Sequence, residues 1–226
     1  EADIKRWKTG FTETRFSPLK EIEKMGHATR ALIVVDVQND FCPNGALAVA
    51  DGDQIVLVIN QMLGEFDVKV FTQDWHPANH TSFASQHAGK SPFEMTTVSY
   101  GDQVLWPDHC VQGTSGAEFH SDLNTDAADL IIRKGFRPEI DSYSAFFEND
   151  QVTPTGLDGY LETRGVTSVV LTGLATDFCV FYSAMDAVKL GYDVELALKA
   201  CRGIDMDGSL GAAMTQMRDA GVKISE

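Results

Sequence analysis

Short apolar runs rich in β-branched residues alternate along this chain with longer stretches of helical apolar spacing, and few folds are compatible with that order. Strand-like runs occupy residues 31–37, 68–72, 130–133, 168–172, 193–198 and 222–224, and helical spacing occupies 54–66, 156–164, 178–190 and 209–220. Strands that alternate with helices predict a parallel sheet, because a parallel connection must cross over the sheet and a helix is the usual way to do so. The expected architecture is α/β: a single-domain, doubly wound, mostly parallel six-stranded sheet with helices on both faces. At 226 residues the chain suits one large domain, and 43% hydrophobic residues supply a sizeable core.

Residues 1–30 are charged and polar, without sustained periodicity, and read as an N-terminal extension ahead of a domain spanning 31–226. Its aromatics Trp7, Phe11 and Phe16 suggest that it packs on the domain or on a second subunit of a homo-oligomer. The first residue is Glu1 and no apolar signal region follows it, which leaves open whether a segment was removed before Glu1. The net charge of −15 argues against a nucleic-acid partner, which needs a basic surface to release counterions. The apolar runs are far shorter than the roughly 20 residues of a membrane span. Cys42, Cys110, Cys179 and Cys201 are widely spaced with no CxxC pair, which suggests neither a disulfide framework nor a thiolate zinc site and makes a reducing, cytoplasmic location the default.

Chemistry-bearing residues fall where the strand-like runs end. In Gly173-Leu174-Ala175-Thr176-Asp177-Phe178-Cys179-Val180 a strand gives way to a helix, and Cys179 is expected near the helix N-terminus. The free N–H groups and partial positive charge there favour a thiolate and can hold an oxyanion. A buried structural cysteine is the competing reading. Asp36 closes the first apolar strand, at the carboxyl end where open α/β sheets bind ligands. It is costly to bury unpaired, and Asn39 and Asp40 fit turn capping better. Lys134 closes the third run and projects toward the same edge. Lysine beside a thiol lowers the thiol pKa, and aspartate within reach can take its proton, although a lysine after a strand is more often solvated.

The segment 75–129 is long, rich in His, Ser, Gly and Pro, and weakly periodic, as functional loops are. Before it, Asp74 and His76 stand two residues apart, a spacing that aims both to one side of an extended chain. With His109 from the same segment they would make three ligands for zinc, iron or manganese, with positions left open for substrate or water. Surface histidines in a polar loop are the alternative. His80 and Ser82 are weaker candidates, and His87 and His120 read as surface residues.

Taken together these segments resemble the nicotinamidases of the isochorismatase-like cysteine hydrolases. The resemblance is carried by Val35-Asp36-Val37-Gln38-Asn39-Asp40-Phe41-Cys42, Gln73-Asp74-Trp75-His76-Pro77 with Asn79-His80, Trp106-Pro107-Asp108-His109-Cys110-Val111, Arg133-Lys134-Gly135 and the turn at 173–180, in that order. It implies the isochorismatase-like hydrolase fold and a catalytic set of Asp36, Lys134 and Cys179. It also implies a divalent metal, zinc first, held by Asp74, His76 and His109, and a cis peptide between Leu174 and Ala175 that turns the Ala175 and Cys179 amides toward one oxyanion. Phe41, Trp106, Tyr143 and Ala175 would line the substrate pocket. The implied activity is hydrolysis of nicotinamide, and of its analogue pyrazinamide, through a cysteine thioester in NAD salvage. Rival readings are a relative acting on carbamoyl or ureido compounds, a catalytically silent scaffold, and hydrolysis by metal-bound hydroxide alone.

Overall fold

In the computed structural model, which describes residues 29–226, six parallel strands form one sheet in the order β5-β2-β1-β6-β7-β8. They are β1 (Thr29–Val35), β2 (Val68–Asp74), β5 (Leu130–Lys134), β6 (Val166–Leu174), β7 (Asp193–Arg202) and β8 (Lys223–Ser225). The extension's aromatics Trp7, Phe11 and Phe16 lie outside the described residues. Helices α1 (Ile55–Met62), α2 (Leu157–Thr163), α3 (Phe181–Leu190) and α4 (Ser209–Asp219) complete the alternation.

Each face of the sheet has its own core. Ala31, Ile33 and Val35 of β1 pack with Leu157 and Leu161 of α2, Ala184 and Ala187 of α3, and Met217 of α4. Leu32 and Val34 point the other way, toward Ile55, Val56 and Ile59 of α1. The alternation of side chains along a strand thus explains why β1 is apolar at every position from Ala31 to Val35: it is covered on both sides there. The sheet is wholly parallel rather than mostly so.

The chain leaves β1 for β2 in one direction and β6 for β7 in the other, so the winding reverses between β1 and β6. A crevice opens at such a switch point, beyond the carboxyl ends of the strands. Two details shape it. Asp36, with φ 48, turns the backbone out of β1 immediately after Val35. Gly173, with φ 111, pairs with Val35, and a Cβ there would meet the Val35 carbonyl oxygen at 2.0 Å, so only glycine lets the two strands close up.

Three expectations need correction. The segment 75–129 contains a hairpin, β3 (Met95–Val98) and β4 (Gly101–Val104), whose signals were Thr96-Thr97-Val98 and a glycine after the two-residue turn. The helix foreseen at 178–190 starts at Phe181, because Thr176–Val180 forms a single π turn first. The helix foreseen at 54–66 keeps only Ile55–Met62 as α-helix and tightens to 3₁₀ turns at both ends.

Candidate active site

Asp36, Lys134 and Cys179, from the ends of β1 and β5 and from the π turn after β6, converge in the crevice. Lys134 Nζ lies 2.8 Å from Asp36 Oδ2 and 3.4 Å from Cys179 Sγ. It also pairs with Asp74 Oδ1 and donates to the Ser142 carbonyl at 2.8 Å. Register explains the Asp74 contact, since Asp74 and Lys134 are opposed residues on β2 and β5. A carboxylate oxygen of Asp36 and Cys179 Sγ lie within 4.8 Å of each other. The carbonyl of Ala175 accepts from the N–H groups of both Phe178 and Val180 at 3.1 Å, which closes the turn around Cys179. The Leu174–Ala175 peptide is cis, as the resemblance implied.

All three groups are almost fully enclosed, and burial governs their ionisation. It lifts the Asp36 carboxyl to about 6, against the opposing pull of Lys134. Burial disfavours the Lys134 ammonium, but Asp36 and Asp74 outweigh it and hold the lysine charged. Burial also pushes the Cys179 thiol well above its ordinary value, with Lys134 only partly offsetting it. One cation shared between two carboxylates does not offset full desolvation of a sulfur anion, which leaves the thiol to be deprotonated by a base within reach. The arrangement is a neutral thiol beside a carboxylate that titrates near neutrality, so proton transfer between them is the chemistry it can do.

Asp74, His76 and His109 form a second cluster on the pocket wall. Asp74 Oδ2 lies 3.6 Å from His76 Nε2 and 3.9 Å from His109 Nε2. His76 Nδ1 lies 2.8 Å from the Gly135 carbonyl and His109 Nδ1 2.8 Å from the Pro107 carbonyl. A carbonyl only accepts, so each Nδ1 carries a hydrogen and each Nε2 is turned toward Asp74; burial lowers the His76 pKa, but the Asp74 charge outweighs it and raises the group. Two imidazole nitrogens and a carboxylate, fixed from behind by backbone carbonyls, suit a divalent ion of the zinc type. Gly135 is part of that support: with φ 62, a Cβ there would sit 2.4 Å from the His76 ring. Burial, with His76 nearby, lowers His109 to about 4, which leaves its ring neutral and able to ligate at pH 7.

Phe41, Trp106, Tyr143 and Ala175 line one cavity with Asp74, His76, His109 and Cys179, and Asp36 and Lys134 reach it only through their contacts with Asp74 and Cys179. Trp106 Nε1 donates to the Tyr143 hydroxyl at 3.0 Å, and the Trp106 and Phe178 rings meet edge to face at 4.9 Å. Phe178 and Ile204 also line the cavity and were not foreseen. Phe178 adjoins Cys179 in the motif, which was its available signal, whereas Ile204 follows β7 with no local mark. Thr72 was missed as well, being one residue in an apolar strand: its hydroxyl donates to Asp36 Oδ1 at 2.6 Å. His80, a weaker candidate from the sequence, is fully buried, with Nδ1 2.7 Å from Ser82 Oγ and its ring 4.3 Å from that of His76. No helix among the described residues is long and apolar enough to cross a membrane.

Comparison with known proteins agrees with this geometry. The family described as Isochorismatase domain matches residues 30–226. A nicotinamidase from Acinetobacter baylyi is 57% identical over 193 residues, which cover 85% of this chain and 90% of that protein. Among solved structures, an Acinetobacter baumanii nicotinamidase-pyrazinamidase superposes with a TM-score of 0.87 at 55% identity, covering 89% of this chain and 98% of that one. The zinc complex of a Pyrococcus horikoshii pyrazinamidase superposes with a TM-score of 0.70 at 38% identity, covering 87% and 98%. With the fold, the switch-point crevice and these likenesses in agreement, the chain belongs to the isochorismatase-domain family, within its nicotinamidase group.

Proposed function

We propose that this chain hydrolyses nicotinamide to nicotinate and ammonia with Cys179 as the nucleophile, and that it accepts pyrazinamide as a close analogue. The observation that carries the reading is the enclosed set of Asp36, Lys134 and Cys179 facing an aromatic cavity whose wall holds Asp74, His76 and His109. Those three would hold a divalent ion, zinc first and iron or manganese next, which when bound supplies a Lewis-acid docking point for the pyridine nitrogen.

The remaining steps belong to side chains and backbone. Phe41 and Trp106 hold the flat ring so that the carboxamide carbon faces Cys179 Sγ. Asp36 takes the thiol proton, and the sulfur forms a bond to the carbonyl carbon. Lys134, held charged between Asp36 and Asp74, steadies the developing sulfur anion. The N–H groups of Ala175 and Cys179 are the oxyanion donors; those of a first helical turn have no intrahelical partner to lose. As the tetrahedral centre collapses, Asp36 returns its proton to the nitrogen and ammonia leaves. Asp36 then takes a proton from water, the hydroxide adds to the thioester, and the carbon–sulfur bond breaks. The proton on Asp36 goes back to Cys179, and nicotinate departs.

Nicotinate production places the reaction in NAD salvage, and four unpaired, buried cysteines favour the reducing cytoplasm as its setting. The test is ammonia release from nicotinamide by the wild type and by Cys179→Ala, with mass spectrometry of the quenched wild type for a nicotinoyl thioester. Release by the wild type alone, with the thioester on Cys179, is expected. Normal release by Cys179→Ala would overturn the assignment.

A further inference from the structure

The β3–β4 hairpin is open to solvent along most of its length, yet Gln103 on β4 is buried, with 1% of its surface exposed. Its amide orientation is fixed by its neighbours. The Tyr143 backbone N–H donates to Asn149 Oδ1 at 2.9 Å, so Asn149 Nδ2 is the atom that donates to Gln103 Oε1, at 3.3 Å. The Tyr100 hydroxyl donates to the same Oε1 at 2.9 Å. Gln103 Nε2 therefore faces the other way, where its two hydrogens are shared among the Val104 carbonyl at 2.7 Å and Asp141 Oδ2 and the Tyr143 hydroxyl oxygen, both at 2.9 Å.

The Tyr143 oxygen thus accepts twice, from Gln103 Nε2 and from Trp106 Nε1. An indole N–H and an amide N–H can only donate, so both bonds occupy lone pairs of the phenol. Its own hydrogen remains, and among the described residues no acceptor takes it. Tyr143 lines the same cavity as Cys179. Resting on the nicotinamide reading above, we infer that Gln103 is a positioning residue for substrate binding that acts through Tyr143, locking the phenol so that its hydrogen is presented to an acceptor on the bound ring or carboxamide.

A merely structural role would be to pin the hairpin to the domain, and the two roles separate in kinetics. The variants are Gln103→Leu, Tyr143→Phe and the pair, assayed for ammonia release from nicotinamide with thermal melting beside each. Gln103→Leu is expected to raise KM about tenfold with kcat within about threefold, as loss of a substrate hydrogen bond does. In the Tyr143→Phe background the same substitution is expected to change KM by less than about twofold, since the group it acts through is gone. Equal KM effects of Gln103→Leu in both backgrounds overturn the inference, as does a lowered melting temperature with KM unchanged. If Gln103→Leu does not fold, Tyr143→Phe decides alone: an unchanged KM overturns it, and a raised one supports it. A wild type that releases no ammonia overturns this inference and the nicotinamide reading together, whereas an active wild type without the coupling overturns this inference only.

Discussion

The Thr72 hydroxyl donates to Asp36 Oδ1 at 2.6 Å, and the Asp36 backbone N–H donates back to Thr72 Oγ1 at 3.2 Å. The pair clamps the carboxyl from the neighbouring strand and favours its charged form, opposing the burial that lifts it to about 6. Because Asp36 must be ionised to take the thiol proton, kcat/KM is expected to fall as pH drops through about 6. Thr72→Val keeps the shape and removes the hydroxyl, so the acid limb is expected to move upward by roughly 1–2 units, the worth of one hydrogen bond to a charged group. A pH–rate profile of both proteins checks this, and an unmoved acid limb would separate Asp36 from the proton transfer.

The Nε2 atoms of His76 and His109 are aimed at Asp74 by carbonyls behind each ring, a geometry that suits a divalent ion. Treatment with a chelator is expected to weaken nicotinamide binding at least tenfold, and added zinc to restore it. Unchanged binding and turnover after metal content has been reduced to background would remove Asp74, His76 and His109 from the ligand set.

Much of this site was legible because its residues lie at strand ends. An acid at the close of an apolar run, or a cysteine where a strand becomes a helix, is a local anomaly that needs no tertiary knowledge to notice. Thr72 and Gln103 gave no such sign. Threonine is an ordinary strand residue, and glutamine in a weakly patterned hairpin reads as exposed, so their roles arise only from what β1 and the 141–149 segment bring beside them. The protonation of Cys179 at rest was not legible for a related reason: the sequence supplies the cation but not the depth of burial that outweighs it.

Gly173 is expected to be intolerant of substitution although it touches no substrate. Gly173→Ala would put a methyl 2.0 Å from the Val35 carbonyl oxygen at φ 111, so β1 and β6 must part where the crevice forms. Strain of that kind costs about 3 kcal/mol, which lowers Tm by about 6–12 °C in a chain of this size. Thermal unfolding measures it, and a shift below about 1 °C would mean that the strands separate freely.

Asp177 ties the nucleophile's turn to a loop that lines the pocket. Its carboxylate accepts from the backbone N–H groups of Ile204 at 2.9 Å and Asp205 at 2.8 Å and from the Ser209 hydroxyl, so one side chain in the π turn anchors the loop between β7 and α4. Ile204 lines the same cavity as Cys179, Asp74 and His76. Asp177→Ala leaves two backbone donors without their acceptor and frees the loop, a loss of about 2–3 kcal/mol seen as a Tm lower by about 4–12 °C. Because the loop carries a pocket wall and not a reacting group, KM is expected to rise more than kcat falls. Asp177→Asn retains one acceptor oxygen and the side-chain shape, and is expected to recover part of both Tm and KM. Should Asp177→Ala instead lower kcat at constant KM, the carboxylate would belong to the chemistry of the turn and not to the anchoring of the wall.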